Sequence, residues 1–203
     1  MKIKLLILVL FASANTFSQT PLWMRYPAIS PDGSTIAFNY KGDIYIVNAQ
    51  GGKAHAITTH SAHDFMPTWS PDGKKIAFAS NRYGNYDIFT MSSEGGNATR
   101  LTHHSSDDYP SSIDNLGNIY FSSSRLDSYL NSQFPSGVLS ELYSINNNGK
   151  LHQVLTTPAE NSVWNKDKTK LIYHDRVGYE NAWRKHHNSS VTRDIWMYDP
   201  NTK

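Results

Sequence analysis

The chain has 203 residues, 12% of them aromatic, and no cysteine. That length supports one domain with a real core and excludes stabilisation by disulfides. The formal net charge of +2 resides in Lys2 and Lys4, and the one other basic run is Arg184-Lys185-His186-His187, so nothing points to nucleic acid as a partner.

Lys2 and Lys4 flank an apolar run from Ile3 to Ala12, and small polar residues follow as far as Ser18. A charged segment, an apolar stretch and a small-residue cleavage zone make residues 1–18 a secretory signal peptide. The run is too short to span a bilayer, and no cysteine follows it to carry a lipid. The mature chain from Gln19 is expected to be periplasmic or secreted, without a membrane anchor.

From there the sequence repeats itself. Ser30-Pro31-Asp32-Gly33 returns forty residues later as Ser70-Pro71-Asp72-Gly73. Ile36-Ala37-Phe38, Asp43-Ile44-Tyr45, Gly51-Gly52 and Ile57-Thr58 return as Ile76-Ala77-Phe78, Asp87-Ile88-Phe89, Gly95-Gly96 and Leu101-Thr102. Looser third and fourth copies pass through Ile119-Tyr120-Phe121 and Glu141-Leu142-Tyr143, then Leu171-Ile172-Tyr173 and Asp194-Ile195-Trp196. Short runs alternating with period two, separated by turn residues and recurring about every 40 residues, predict blades of a β-propeller. The predicted fold is all-β, with four-stranded antiparallel blades over about 24–60, 65–104, 108–157 and 160–203, the last incomplete, of a partial propeller spanning 19–203. In the first copy the strands are Tyr26–Ser30, Thr35–Asn39, Asp43–Val47 and His55–Thr58. Trp69, Phe89, Tyr143, Trp164 and Trp196 are predicted to pack between blades.

Propeller topology puts the tight Ser-Pro-Asp-Gly and Gly-Gly turns on one face, where they are structural. The other face carries the inter-blade loops and the loops between second and third strands, which lengthen to residues 122–140 and 174–193. Long loops on a rigid scaffold are where binding resides. Arg82 and Arg125 each follow a strand phenylalanine by four residues, and Arg176 follows Tyr173 by three. Either they form a ring that reads carboxylates, or each is a structural arginine bonding loop carbonyls within its blade. Arg184 and His186 join them as candidate substrate contacts. His60, His63 and Asp64, and His103-His104 with Asp107-Asp108, have ligand-like spacing, but a loop fixes no coordination geometry, and no metal is assigned. There is no Gly-x-Ser-x-Gly elbow, glycine-rich phosphate loop or cysteine nucleophile, so no catalytic residue and no cofactor is assigned to this chain.

The Ser-Pro-Asp-Gly blades resemble those of TolB, the tricorn protease and prolyl-oligopeptidase propellers. Gln19 to Ser30, and Gly178-Tyr179-Glu180-Asn181-Ala182-Trp183-Arg184-Lys185-His186-His187 with Ser189 to Trp196, are similar to the N-terminal propeller of exported bacterial tricorn-type serine proteases. The resemblance implies a six-bladed ring, of which about four blades are present as an incomplete arc. It also implies a second propeller, a PDZ-like domain and a serine catalytic domain as missing partners. It implies peptides or unfolded polypeptides as substrates, which the propeller gates or channels, with a homo-oligomer as a further expected partner. This chain by itself is then not an enzyme. The competing expectation is a non-enzymatic TolB-like protein-binding propeller.

Overall fold

The computed structural model describes residues 23–125, 140–175 and 194–202. Residues 1–18, and with them the signal-peptide expectation, lie outside that range. The described residues form four antiparallel sheets and no helix. The first is β1 (Arg25–Ile29), β2 (Thr35–Tyr40), β3 (Asp43–Asn48) and β4 (His55–Ala56). The second is β5 (Asp64–Trp69), β6 (Lys75–Ser80), β7 (Asp87–Ser92) and β8 (Thr99–Arg100). The third is β9 (Asp108–Ile113), β10 (Ile119–Ser123), β11 (Glu141–Ile145) and β12 (Leu151–Pro158). The fourth has β13 (Glu160–Trp164), β14 (Leu171–His174) and β15 (Ile195–Tyr198). Each sheet is a meander, and the inner strands adjoin in the order β1, β5, β9, β13, which is the propeller arrangement the repeat predicts.

The recurring residues recur because each closes the same local bond. In the first inner turn the Ser30 hydroxyl donates to Asp32 Oδ1 at 2.5 Å and accepts from the Thr35 amide at 2.9 Å. Gly33 supplies φ +74°, a conformation that costs other residues steric strain. The Ser70 copy repeats these contacts, with Gly73 at +71°. In the degenerate copies the bonds survive the change of residue. Asp114 Oδ1 accepts from the Leu116 and Asn118 amides, and Asn165 Oδ1 from those of Thr169 and Lys170.

The Asp32 carboxylate, bonded by Ser30 and twice by Ser34, falls from an ordinary 3.8 to about 2. A depressed carboxylate contributes stability that is complete above the unfolded value and is lost as pH falls through the folded one. Asp32→Asn is therefore expected to shrink the drop in Tm between about pH 5 and pH 2, relative to the parent chain. Identical acid sensitivity in the two proteins would refute this.

A second lock explains the pairing of Asp-Ile with Ile/Leu-Thr. Thr58 Oγ1 accepts from the Ile44 amide at 2.9 Å and donates to Asp43 at 3.2 Å; Thr102 does the same for Ile88 and Asp87, at 2.8 and 3.4 Å. Blades are also clipped to one another. The Asp64 amide donates to Gly42 O at 2.7 Å, Asp108 to Tyr86 O at 2.8 Å and Ala159 to Ser140 O at 2.8 Å, each reaching back to the preceding blade.

The core lies between the sheets. Ala37 and Ile44 of the first pack on Ile76, Phe78, Phe89 and Met91 of the second. Ala77 and Ile88 of the second pack on Ile119, Phe121, Tyr143 and Ile145 of the third. Tyr120 and Leu142 pack on Ala159 and Leu171 of the fourth. Each sheet thus offers a flat face of small and aliphatic residues to an aromatic-rich face on the next. Ile44, Ile88 and Leu142 are fully buried by this, whereas Ile195 at the same position of the fourth sheet is 74% exposed. Ile195 is exposed because no described sheet covers its side of the fourth; Trp196, expected between blades and on the side that faces the third sheet, is half exposed.

Candidate functional site

The inner strands line one side of an open axial space of about 700 Å³, bounded along its length by Tyr26 to Ile29, Met66 to Trp69, Pro110 to Ile113 and Asn161 to Trp164 excluding Ser162. Each inner strand enters it with a β-bulge. The register against the second strand slips between Arg25 and Ala28, between Phe65 and Thr68, and between Glu160 and Val163. At the bulge Tyr26, Met66 and Asn161 take φ of +52°, +55° and +51°, in the left-handed region that side chains rarely adopt. Pro110 stands at that position in β9, where its ring forbids positive φ. There the slip falls opposite the Tyr120–Phe121 step instead.

These residues open on the long-loop face beside a group of rings. Phe65 lies at its centre, edge-on to Tyr26, Tyr86 and Tyr109 at centroid separations of 5.3, 4.8 and 5.9 Å, and stacked on His63 at 5.0 Å. Asp107 ties the group down: Oδ1 accepts from the Tyr86 amide at 2.9 Å and Oδ2 from the Tyr109 hydroxyl at 3.1 Å. Burial first, then the Asp107 charge, holds both phenols above their ordinary pKa. A pocket of about 310 Å³ opens beside these rings, lined by Tyr26, Phe65, Met66, Tyr109 and Pro110 and by the polar residues Ser111, Ser122, Ser140, Glu160 and Asn161. The opposite face has a cleft of about 470 Å³ between the turns of the first two blades. Its Asp32 and Asp72 carboxylates are engaged in the turn bonds described above.

The structure holds Arg82 and Arg125 in contacts within their own blades. Their partners are buried aspartates at the start of the inner strand, not loop carbonyls. Arg82 Nη2 meets Asp64 Oδ2 at 2.8 Å, and Arg125 grips Asp108 with both Nε and Nη2. Each guanidinium also lies over two rings, Arg82 over Phe78 and Phe89, Arg125 over Phe121 and Tyr143. The pair is kept or lost as a unit: the first blade has Met24 and Gly42 at the two positions, and the fourth has Ala159 and Val177. Arg176, Arg184 and His186 lie outside the described residues. His60 Nδ1 accepts from the Ala62 amide, His63 Nδ1 is 3.0 Å from the Tyr86 hydroxyl, and Asp64 serves Arg82, so the three diverge. Among the described residues no group of three His, Asp or Glu is placed to hold a metal ion.

Sequence reading missed the ring cluster and the bulges. The available signal was Tyr26-Pro27 returning as Met66-Pro67, with Tyr109-Pro110 out of step by one residue.

Four bulged inner strands around an axial space, with Ser-Pro-Asp-Gly turns on one face, define a β-propeller of the TolB and tricorn type. The chain belongs to the family described as the tricorn protease N-terminal beta propeller domain, whose model matches residues 21–203. It is 35% identical over 64 residues to tricorn protease homolog 1 of Streptomyces coelicolor, covering 32% of this chain and 6% of that protein. It is 40% identical over 52 residues to a TolB homolog of Chlorobium luteolum, covering 26% and 12%. The chain thus matches only a small part of these relatives' length. The crystal structure of the tricorn protease superposes with a TM-score of 0.68 at 20% identity, over 88% of this chain and 17% of that one. TolB from Acinetobacter baumannii gives 0.64 at 20% identity, over 89% and 42%.

Proposed function

We propose that this chain is the N-terminal propeller portion of an exported, periplasmic tricorn-like serine protease, which admits peptides through its axial space to a catalytic domain elsewhere. The observation that carries this is the axial space of about 700 Å³, lined by the four inner strands of a propeller of this family. Arg82, Arg125, Arg176, Arg184 and His186 are proposed to influence peptides on the long-loop face, the first two through the loops they anchor. A channel of this kind acts by width, so narrowing it should discriminate by chain length. Ala28 lines it and is half-buried. In the complete protease, Ala28→Trp is expected to slow hydrolysis of an unfolded protein substrate on the order of ten-fold, and to leave a tripeptide substrate within about two-fold. Equal slowing of both, or of neither, would overturn the channel reading.

The second reading, a TolB-like binding propeller without hydrolytic activity, draws on the TolB homolog match and the TolB superposition. It predicts a protein that captures a folded partner on the same face and cleaves no peptide.

A further inference from the structure

We propose that the pocket beside the ring cluster is a subsite for one bulky apolar side chain, aromatic or leucine, of a bound peptide. The inference rests on the reading of the long-loop face as a peptide-binding face. Its own support is the pocket's size, lining and construction.

A volume of about 310 Å³ is enough for one large side chain and too small for a folded element. The lining offers two tyrosine rings, a phenylalanine, a methionine and a proline. Phe65 is 7% exposed and in contact with four rings, so it is a rigid floor, whereas Tyr26 is 42% exposed and stands at the rim. Met66 adds a thioether that adapts to aromatic or branched shapes. The rest of the lining is polar: Ser111, Ser122, Ser140, Glu160 and Asn161. A lining of rings and polar groups together suits a residue whose side chain turns to the rings while its peptide groups meet hydroxyls and amides.

The backbone is bent to make this lining. Tyr26 and Met66 occupy the left-handed region immediately before a proline, a costly place for a side chain. The blade does not need the bulge residue to be large, since Asn161 occupies the equivalent position in the fourth blade at the same φ. In the first two blades the bulge turns Tyr26 and Met66 into the pocket and the axial space. Strain that aims two large apolar groups at a cavity is the arrangement expected of a specificity site.

The test uses the purified chain and four fluorescein-labelled pentapeptides, Gly-Ser-X-Ser-Gly with X as Phe, Leu, Ala or Lys, read by fluorescence anisotropy. The Phe and Leu peptides are expected to bind on the order of ten-fold or more tighter than Ala and Lys. Met66→Glu should erase that preference while leaving Tm within a few degrees. If that variant does not fold, Tyr26→Ser, at an exposed side chain, should reduce the preference several-fold. N-acetylphenylalaninamide should shift the Met66 methyl resonance, assigned with Met66→Leu. Four equal peptide affinities would overturn the subsite and leave peptide binding standing. Failure of every peptide alongside a shifted Met66 methyl would support the subsite and overturn the peptide-binding reading. An unmoved methyl resonance with no selectivity would overturn the subsite outright.

Discussion

Arg125→Ala is expected to lower the unfolding free energy by about 3–5 kcal/mol, as measured by urea denaturation. The guanidinium is 6% exposed and the Asp108 carboxylate wholly buried, so solvent cannot take over when one partner is removed. What remains is a carboxylate in the interior without its cation, and the rings of Phe121 and Tyr143 lose the guanidinium that lay over them. The cost comes from the orphaned charge and not from the attraction lost. Arg125→Met with Asp108→Ala, which removes both charges and keeps much of the arginine's bulk, should therefore recover most of the stability. Arg82 meets Asp64 through Nη2 alone and is 16% exposed, and Arg82→Ala should cost less because water reaches the site. If the double variant were as unstable as Arg125→Ala, the orphaned-charge account would fall. The first and fourth blades lack both members of the pair.

The blades could be read in the sequence because their information is local. Ser30, Asp32 and Gly33 close a turn within four residues, and alternating residues such as Ile36, Phe38 and Ile44 announce strands by period two. The predicted strand Thr35–Asn39 differs from β2 by one residue. The site was less legible because its contacts join positions that carry no common pattern. Asp64 and Arg82 meet across 18 residues, and nothing about Asp64 beside His63 in a loop-like stretch marks it as a buried anion. Its histidine neighbours suggested metal ligation, when the physical constraint was a cation delivered by the following strand. The bulge at Tyr26 and Met66 is likewise invisible to a period-two reading, because an inserted residue reverses the alternation it relies on. Ile195 shows the converse limit. Its position in the repeat is that of Ile44, Ile88 and Leu142, all buried, yet it is 74% exposed. Pattern assigns a residue to a face, and the neighbouring sheet decides whether that face is covered.

That dependence makes Phe78→Ala the second large effect. Phe78 is fully buried at the junction of the first two sheets, against Ala37 and Ile44 of the first, with Phe89 stacked 5.8 Å away. Truncation removes the ring's transfer free energy and opens a cavity that flanking backbone, fixed in two ladders, cannot collapse to fill. The expected cost is about 3–5 kcal/mol, with a further loss because Arg82 rests its guanidinium on the same ring. Ile195→Ala is the matched control: it removes a strand residue at a position buried in the other three blades, but Ile195 is 74% exposed, and the expected change is within about 0.5 kcal/mol. In a repeat protein each blade is stabilised by its neighbours, so the damage should also be uneven. Hydrogen exchange in Phe78→Ala is expected to accelerate most in β2, β3, β6 and β7, and least in β13 and β14. Uniform acceleration across all four sheets would show that the arc unfolds as one unit. The interface between the first two blades would then lack the independent stability assigned to it.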